Sequence, residues 1–214
     1  MIAWTEIVRR DLALALRGGM WLPVLFFLLV AILFPFAVGP DGRLLERTGG
    51  GVLWIAALLA ALLPVDRLVA PDRDAGVLDQ YAIRGLGDEA VAAAKMLAHW
   101  LSFGPPLMIA AIPASALLRL DGVSLSRLEL GLALGTPALA ALGLTASALT
   151  AGLRGGGALA GLLMLPLAVP VLIFGAGALT AIDMGAFKLL AASSLVLVAG
   201  APFAAGAALK AMRE

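Results

Sequence analysis

Long apolar runs, set apart by short polar gaps, make up most of this chain. Six such runs span 20–38, 51–68, 90–118, 128–152, 157–180 and 186–209. A helix needs about 20 apolar residues to cross the hydrocarbon core of a bilayer. The pattern therefore predicts an all-α membrane protein with six transmembrane helices. An even number of spans returns the C-terminus to the side of the N-terminus. The third run is the longest, and its first turns are expected to project from the membrane with Asp88 as N-cap.

Two segments follow a different pattern. Over 2–17, at about 100° per residue, Trp4, Ile7, Val8, Leu12, Leu14, Ala15 and Leu16 share one broad face. Glu6, Arg9, Arg10 and Arg17 lie opposite. This predicts a helix lying in the headgroup plane over 1–18. Asp11 falls inside the apolar arc, where it either snorkels to water or pairs with a cation on a neighbouring helix. The second segment, 66–95, is the most hydrophilic of the chain. Asp72 or Asp74 can cap a short helix over 75–83, with Leu78, Tyr81 and Ala82 on its apolar face. Gly85 and Gly87 then turn the chain into the third span. Such a helix is either a docking element for a second protein or a solvated loop lying on the bilayer.

Lys and Arg asymmetry orients the spans. With the N-terminus inside, ten fall on the cytoplasmic side (Arg9, Arg10, Arg17, Arg67, Arg73, Arg84, Lys95, Arg154, Lys210 and Arg213) and five outside (Arg43, Arg47, Arg119, Arg127 and Lys188). Both termini are therefore expected in the cytoplasm. The first run exceeds the usual length of a signal-peptide core, and Pro40 would disfavour cleavage after Gly39. An uncleaved first span is the expectation.

Composition agrees with the pattern. Hydrophobic residues make up 62% of the 214 and charged residues 14%, and the mean hydropathy is +1.05. A soluble domain carries about 25% charged residues. Net charge is +1, which gives no support to nucleic-acid binding. Without Cys there is no disulfide or thiolate site, and a single His rules out a multi-histidine metal centre.

No Asp, Glu, Lys or Arg falls near the middle of a predicted span. Asp66, Arg67, Lys95, Glu129 and Lys188 all sit near ends, where long side chains can snorkel. Ion-coupled transporters retain charges at mid-membrane because their work requires them, so this pattern argues against ion coupling. It also argues against a membrane-embedded hydrolase. Nor does the chain contain GxxxxGK[ST]; Gly85-Leu86-Gly87-Asp88 is a turn rather than a phosphate loop. Any energy for transport must come from another chain.

Further candidates are sparse. His99 reads either as a haem ligand or proton carrier, or as a histidine satisfied near the cytoplasmic interface. Ten prolines fall inside predicted spans (Pro23, Pro35, Pro64, Pro105, Pro106, Pro113, Pro137, Pro166, Pro170 and Pro202) and are expected to bend them. Gly131/Gly135 and Gly157/Gly161 are GxxxG pairs. Thr136, Gly143, Ser147 and Thr150 share one face of the fourth span, either as a packing seam or as a subunit interface or substrate groove.

An ordered set of strings resembles the CcmB family, the permease subunits of the ABC-type haem exporter complex of bacterial cytochrome c maturation. They are LFPFAVGP at 33–40, WIAALLA at 54–60, AKMLAHW at 94–100, LGTP at 134–137, ALTAGLRGG at 148–156 and LPLAVPVLIF at 165–174. The resemblance implies an ABC-2-like permease, a single membrane domain over 1–214 in the bacterial inner membrane. It implies a cytoplasmic coupling loop over 69–88 on which a CcmA-like ATPase docks. Asp72, Arg73, Asp74, Gly76, Leu78, Asp79, Gln80 and Tyr81 fall at the coupling helix, and Pro35, Gly39 and Pro40 near the outer face. It further implies a homodimer, CcmC-like and CcmD-like membrane partners, and the haem chaperone CcmE as client. ATP and Mg would sit on the ATPase and haem on partner subunits, none on this chain. ATP hydrolysis would drive release of haem-loaded CcmE. The alternatives are direct export of haem or lipid along the dimer seam, and an ATP-independent scaffold.

Overall fold

The computed structural model describes residues 2–19, 21–39, 41–180 and 184–213. Met20, the expected start of the first span, and Pro40 lie outside the described residues. Among the described residues, nine α-helices follow one another: α1 (Ile2–Gly18), α2 (Trp21–Val38), α3 (Gly42–Leu62), α4 (Ala70–Asp74), α5 (Val77–Ile83), α6 (Asp88–Leu117), α7 (Gly122–Thr150), α8 (Gly156–Thr180) and α9 (Gly185–Ala211). Six of them are long and apolar enough to cross a membrane. The fold is an all-α bundle built on six helices of membrane-spanning length.

Several boundaries differ from the sequence reading, each for a local reason. Helix α3 starts at Gly42 rather than 51, because the Asp41 carboxylate caps the backbone N–H groups of Arg43 and Leu44. It ends at Leu62, so Pro64 lies in the turn that follows and bends no helix. A single 3-10 turn, Val65–Arg67, comes next. Helix α7 starts at Gly122 rather than 128, with Asp121 accepting from the Ser124 N–H at 2.8 Å. Asp88 does not cap α6. Gly87 holds the extended N-cap position, and Asp88 opens the first turn.

Helix α7 is the axis of the bundle. Of its most apolar window, 72% is buried in the protein, against 17% for the peripheral α2. It packs against α3, α6, α8 and α9. Thr136, Ser147 and Thr150 are buried inside the chain. Thr136 Oγ1 accepts from Trp100 Nε1 of α6 at 3.0 Å, and a Cβ at Gly143 would meet His99 Nε2 at 3.1 Å. This face is an internal seam.

Trp54 of α3 is the largest fully buried side chain. Its indole fills a slot cut by Gly131 and Gly135 of α7 and Gly175 of α8. An added Cβ would stand 3.1, 2.5 and 2.5 Å from the ring, respectively. The first GxxxG pair thus admits an aromatic ring rather than a helix backbone. Of the second pair, Gly157 abuts Asp66, while Gly161 faces open space.

Candidate functional site

The end of the bundle where α9 finishes holds an interlinked group of charged residues. Helices α4 and α5 form one segment, broken by Gly76 at φ +66°, a left-handed turn that suits glycine. The helix expected over 75–83 is α5, which starts at Val77 behind a separate short α4, and neither Asp72 nor Asp74 caps it. Gly85, at φ +74°, ends it, and the Leu86 N–H closes onto Tyr81 O at 3.1 Å.

Asp72 turns inward into a four-charge cluster. Lys95 Nζ, on α6, donates to Asp72 Oδ2, to Asp11 Oδ2 at 2.9 Å and to Leu68 O at 3.1 Å. The Arg10 guanidinium donates to both Asp72 oxygens, to Asp11 Oδ1 at 2.9 Å and to the Tyr81 hydroxyl at 3.3 Å. Two cations and two carboxylates thus join α1, α4, α5 and α6. The Lys95 side chain is only 3% exposed, so its charge is tolerated only because it is paired and fully hydrogen-bonded. The Asp72 hydrogen bond holds the Arg10 guanidinium well above its ordinary pKa, and burial pushes the Tyr81 phenol up.

Asp11, placed on the apolar arc by its spacing, therefore pairs with a cation of a neighbouring helix. Arg10 departs from the expected solvent face because Asp72 draws it inward. The apolar arc of α1 also divides. Ile7 is buried against the bundle, while Leu14 and Leu16 stay half exposed. The sequence offered one signal for the cluster: Asp11 and Lys95 are opposite charges on faces that otherwise read as apolar. Asp72 was hidden in a run of polar residues that all looked solvated.

The expected docking residues separate by burial. Leu78 is 3% exposed and sits in a core with Ile7, Val69, Val91, Leu144 and Leu209. Tyr81 packs against the same core. These residues fasten α5 to its own bundle, so the apolar ridge does not face outward as the sequence pattern indicated. Asp74, Asp79 and Gln80 are exposed. So is Ile83, at 86%, a residue the sequence pattern did not single out, together with Arg84. Arg73 Nη1 donates to Ala151 O at 3.1 Å, tying α4 to the end of α7.

A second clamp closes the same end. Arg213 forms two parallel hydrogen bonds to Asp88, at 2.6 and 2.5 Å, and this contact raises the Arg213 pKa. His99 lies one turn beyond Lys95 on α6. It is buried, stacks at a tilt on Phe103 with centroids 4.8 Å apart, and neither ring nitrogen has a hydrogen-bond partner among the described residues. The polar group that would satisfy it near the interface is not among its protein neighbours. Pro35 lies inside α2 near its far end, and Gly39 follows at φ +86°. Among the described residues, no group of three or more His, Cys, Asp or Glu could hold a metal ion.

Comparison with known proteins decides what kind of permease this is. The family described as CcmB protein matches residues 1–212. The chain belongs to the CcmB family. Its curated relatives carry the name heme exporter protein B. That of Paracoccus denitrificans is 50% identical over 208 residues, covering 94% of this chain and 95% of its own. That of Bradyrhizobium diazoefficiens is 46% identical over 218 residues, covering 98% of each. That of Escherichia coli strain K12 is 40% identical over 217 residues, again covering 98% of each. The CcmB match runs through α1, α4 and α5 as well as the six long helices, so the charged cluster lies inside the family region.

Proposed function

We propose that this chain is the non-catalytic membrane subunit of an ATP-driven haem-exporter complex serving cytochrome c maturation. The family match over 1–212, on a six-span fold with no nucleotide-binding motif, carries the reading. Its termini, α1, α4 and α5 lie on the cytoplasmic side, in keeping with the Lys and Arg asymmetry. A CcmA-like ATPase docks on the outward face of α4–α5, through Asp74, Asp79, Gln80, Ile83 and Arg84. Asp72, Arg10 and Lys95 act behind that face as the linkage that carries movement into α1 and α6. CcmC-like and CcmD-like subunits complete the membrane complex, which holds this chain as a homodimer. Its output is release of haem-loaded CcmE at the outer face, towards which Pro35 and Gly39 lie.

An exposed isoleucine next to Arg84 and one turn beyond Asp79, on a firmly anchored helix, supports the docking assignment. Such an apolar residue in a polar rim has the character of an interface anchor. The test is co-purification of the co-expressed ATPase with Ile83→Glu and with Asp79→Lys. Loss of the ATPase while the spans remain folded is expected. Full retention with both variants overturns the docking face. Wild-type cytochrome c yield with a hydrolysis-dead ATPase overturns the energy coupling instead.

A further inference from the structure

The turn 151–155, between α7 and α8, stands beside α4. Arg73 of α4 donates to Ala151 O at 3.1 Å, so the turn and α4 form one continuous surface. The turn is stiff. Its Leu153 N–H closes onto Thr150 O at 2.9 Å, and the Gly156 N–H onto Leu153 O at 3.1 Å. A Cβ at Gly156 would collide with Thr150 O. This rigid loop presents Leu153, 56% exposed, and the exposed Arg154. Asp66 lies across from Leu153 with its side chain 58% exposed. Unburied charges on both sides mark a water-facing surface rather than a lipid-facing one.

A recess of about 80 Å³ lies between this turn and the start of α4, bounded by Asp66, Ala70, Ser147, Thr150 and Leu153. Thr150 spends its hydroxyl proton on Ala146 O at 2.8 Å. Ser147 is only 3% exposed, yet its hydroxyl has no partner among the described residues. Buried polar groups in folded proteins are hydrogen-bonded in the great majority of cases. A lone exposed leucine is ordinary on a protein surface. A leucine fixed on a stiff turn, beside a recess that holds an unpaired hydroxyl, has the make-up of an interface: an apolar anchor next to a polar socket. The sequence of α5 repeats the arrangement, since the exposed Ile83 is followed by the exposed Arg84 as Leu153 is by Arg154.

We propose that the α7–α8 turn is a second point of attachment for the ATPase that docks on α4–α5. The ATPase packs an apolar side chain on Leu153, sets a carboxylate against Arg154 and places one polar side chain in the recess, within reach of Ser147. Continuity selects this occupant, because Arg73 joins the two surfaces and each offers an exposed aliphatic residue followed by arginine. The two points differ mechanically. Trp54 locks α7 and α8 together, whereas α4 is joined to α1 and α6 by the ion pairs of Asp72. A partner gripping both can displace α4–α5 against a fixed reference. The inference rests on the docking reading of α4–α5 and can fail while that reading stands.

The chain contains no Cys, so Leu153→Cys, Ile83→Cys and Val123→Cys each give the full chain, purified in detergent, one thiol for benzophenone maleimide. Val123, 61% exposed at the far end of α7, is the control. Illumination with the purified ATPase should give adducts from positions 153 and 83 and none from 123. Biolayer interferometry should show about tenfold weaker ATPase binding for Leu153→Glu and about threefold weaker binding for Ser147→Ala. Val123→Glu should bind as the wild type does, and melting in detergent confirms that each variant is folded. An adduct from 83 without one from 153 overturns the second attachment and leaves docking on α4–α5 in place. Unchanged affinity in folded Leu153→Glu overturns it as well, as does an equal adduct from 123. Adducts from neither 83 nor 153 overturn both readings.

Discussion

Lys95 Nζ sits 2.9 Å from Asp11 Oδ2, which couples the middle of the N-terminal helix to the first third of α6. These residues are 84 positions apart in sequence. The contact fixes α1 to the bundle, so α1 is a structural part of the permease as well as a membrane-surface helix.

Removing the lysine should cost far more than an exposed ion pair would. Lys95→Met leaves Asp11 and Asp72 short of a buried cation, at a cost of about 3–5 kcal/mol. Adding Asp72→Asn to that variant should cost less than the sum of the two single changes. Chemical unfolding of the single and double variants in detergent reads this directly, and additive effects would show that the cluster is not a unit.

The pH response of the cluster has a definite sign on its cationic side. Arg10 has a folded-state pKa above its ordinary value because Asp72 accepts its hydrogen bond. Its contribution is fully present below the ordinary arginine pKa and is lost only as pH rises through the raised one. Arg10 should therefore make a constant contribution between pH 6 and pH 9. The gap in unfolding free energy between wild type and Arg10→Gln, measured at several pH values in that window, should stay flat.

Burial separates two apolar positions of α5. Leu78→Ala should destabilise the protein by about 2–5 kcal/mol, because Leu78 is a core residue. Ile83→Glu should change stability by less than about 0.5 kcal/mol while weakening capture of the ATPase. Parallel melting and pull-down measurements distinguish packing from docking.

The indole slot predicts intolerance of a single methyl group. Gly135→Ala or Gly175→Ala forces a Cβ to about 2.5 Å from the Trp54 ring and should cost about 1–3 kcal/mol. Combining either with Trp54→Leu should recover part of that loss. Helical content and unfolding midpoint in detergent provide the readout.

Arg213 and Asp88 make a clamp that can be inverted. Arg213→Ala should loosen the last turn of α9 from the start of α6, and the exchange Asp88→Arg with Arg213→Asp should partly restore it. Hydrogen exchange at the start of α6 measures the effect.

The spans were legible in the sequence because each is a long apolar run bounded by charge, and the α8 and α9 boundaries agree to within one or two residues. Helix α3 was read short because Arg43, Glu46 and Arg47 look like loop, although Asp41 caps them into the helix. The cluster was half legible. Asp11 signalled a need for a cation, whereas Lys95 looked like one more residue able to snorkel from a helix end. The direction of α5 was not legible, since Leu78 and Ile83 are both apolar, and only tertiary packing decides which of the two turns inward. His99 was visible as a lone histidine, but its unpaired nitrogens depend on what surrounds it in space.

Trp54 keys α3, α7 and α8 together through one ring wedged among three glycines. Those three helices therefore behave as a single rigid strut. Whatever stroke this permease makes must be taken up outside it, where α1, α2 and the α4–α5 pair meet α6. There the joints include ionic contacts, which can slide and re-form, beside the apolar core of Ile7, Leu78 and Val91.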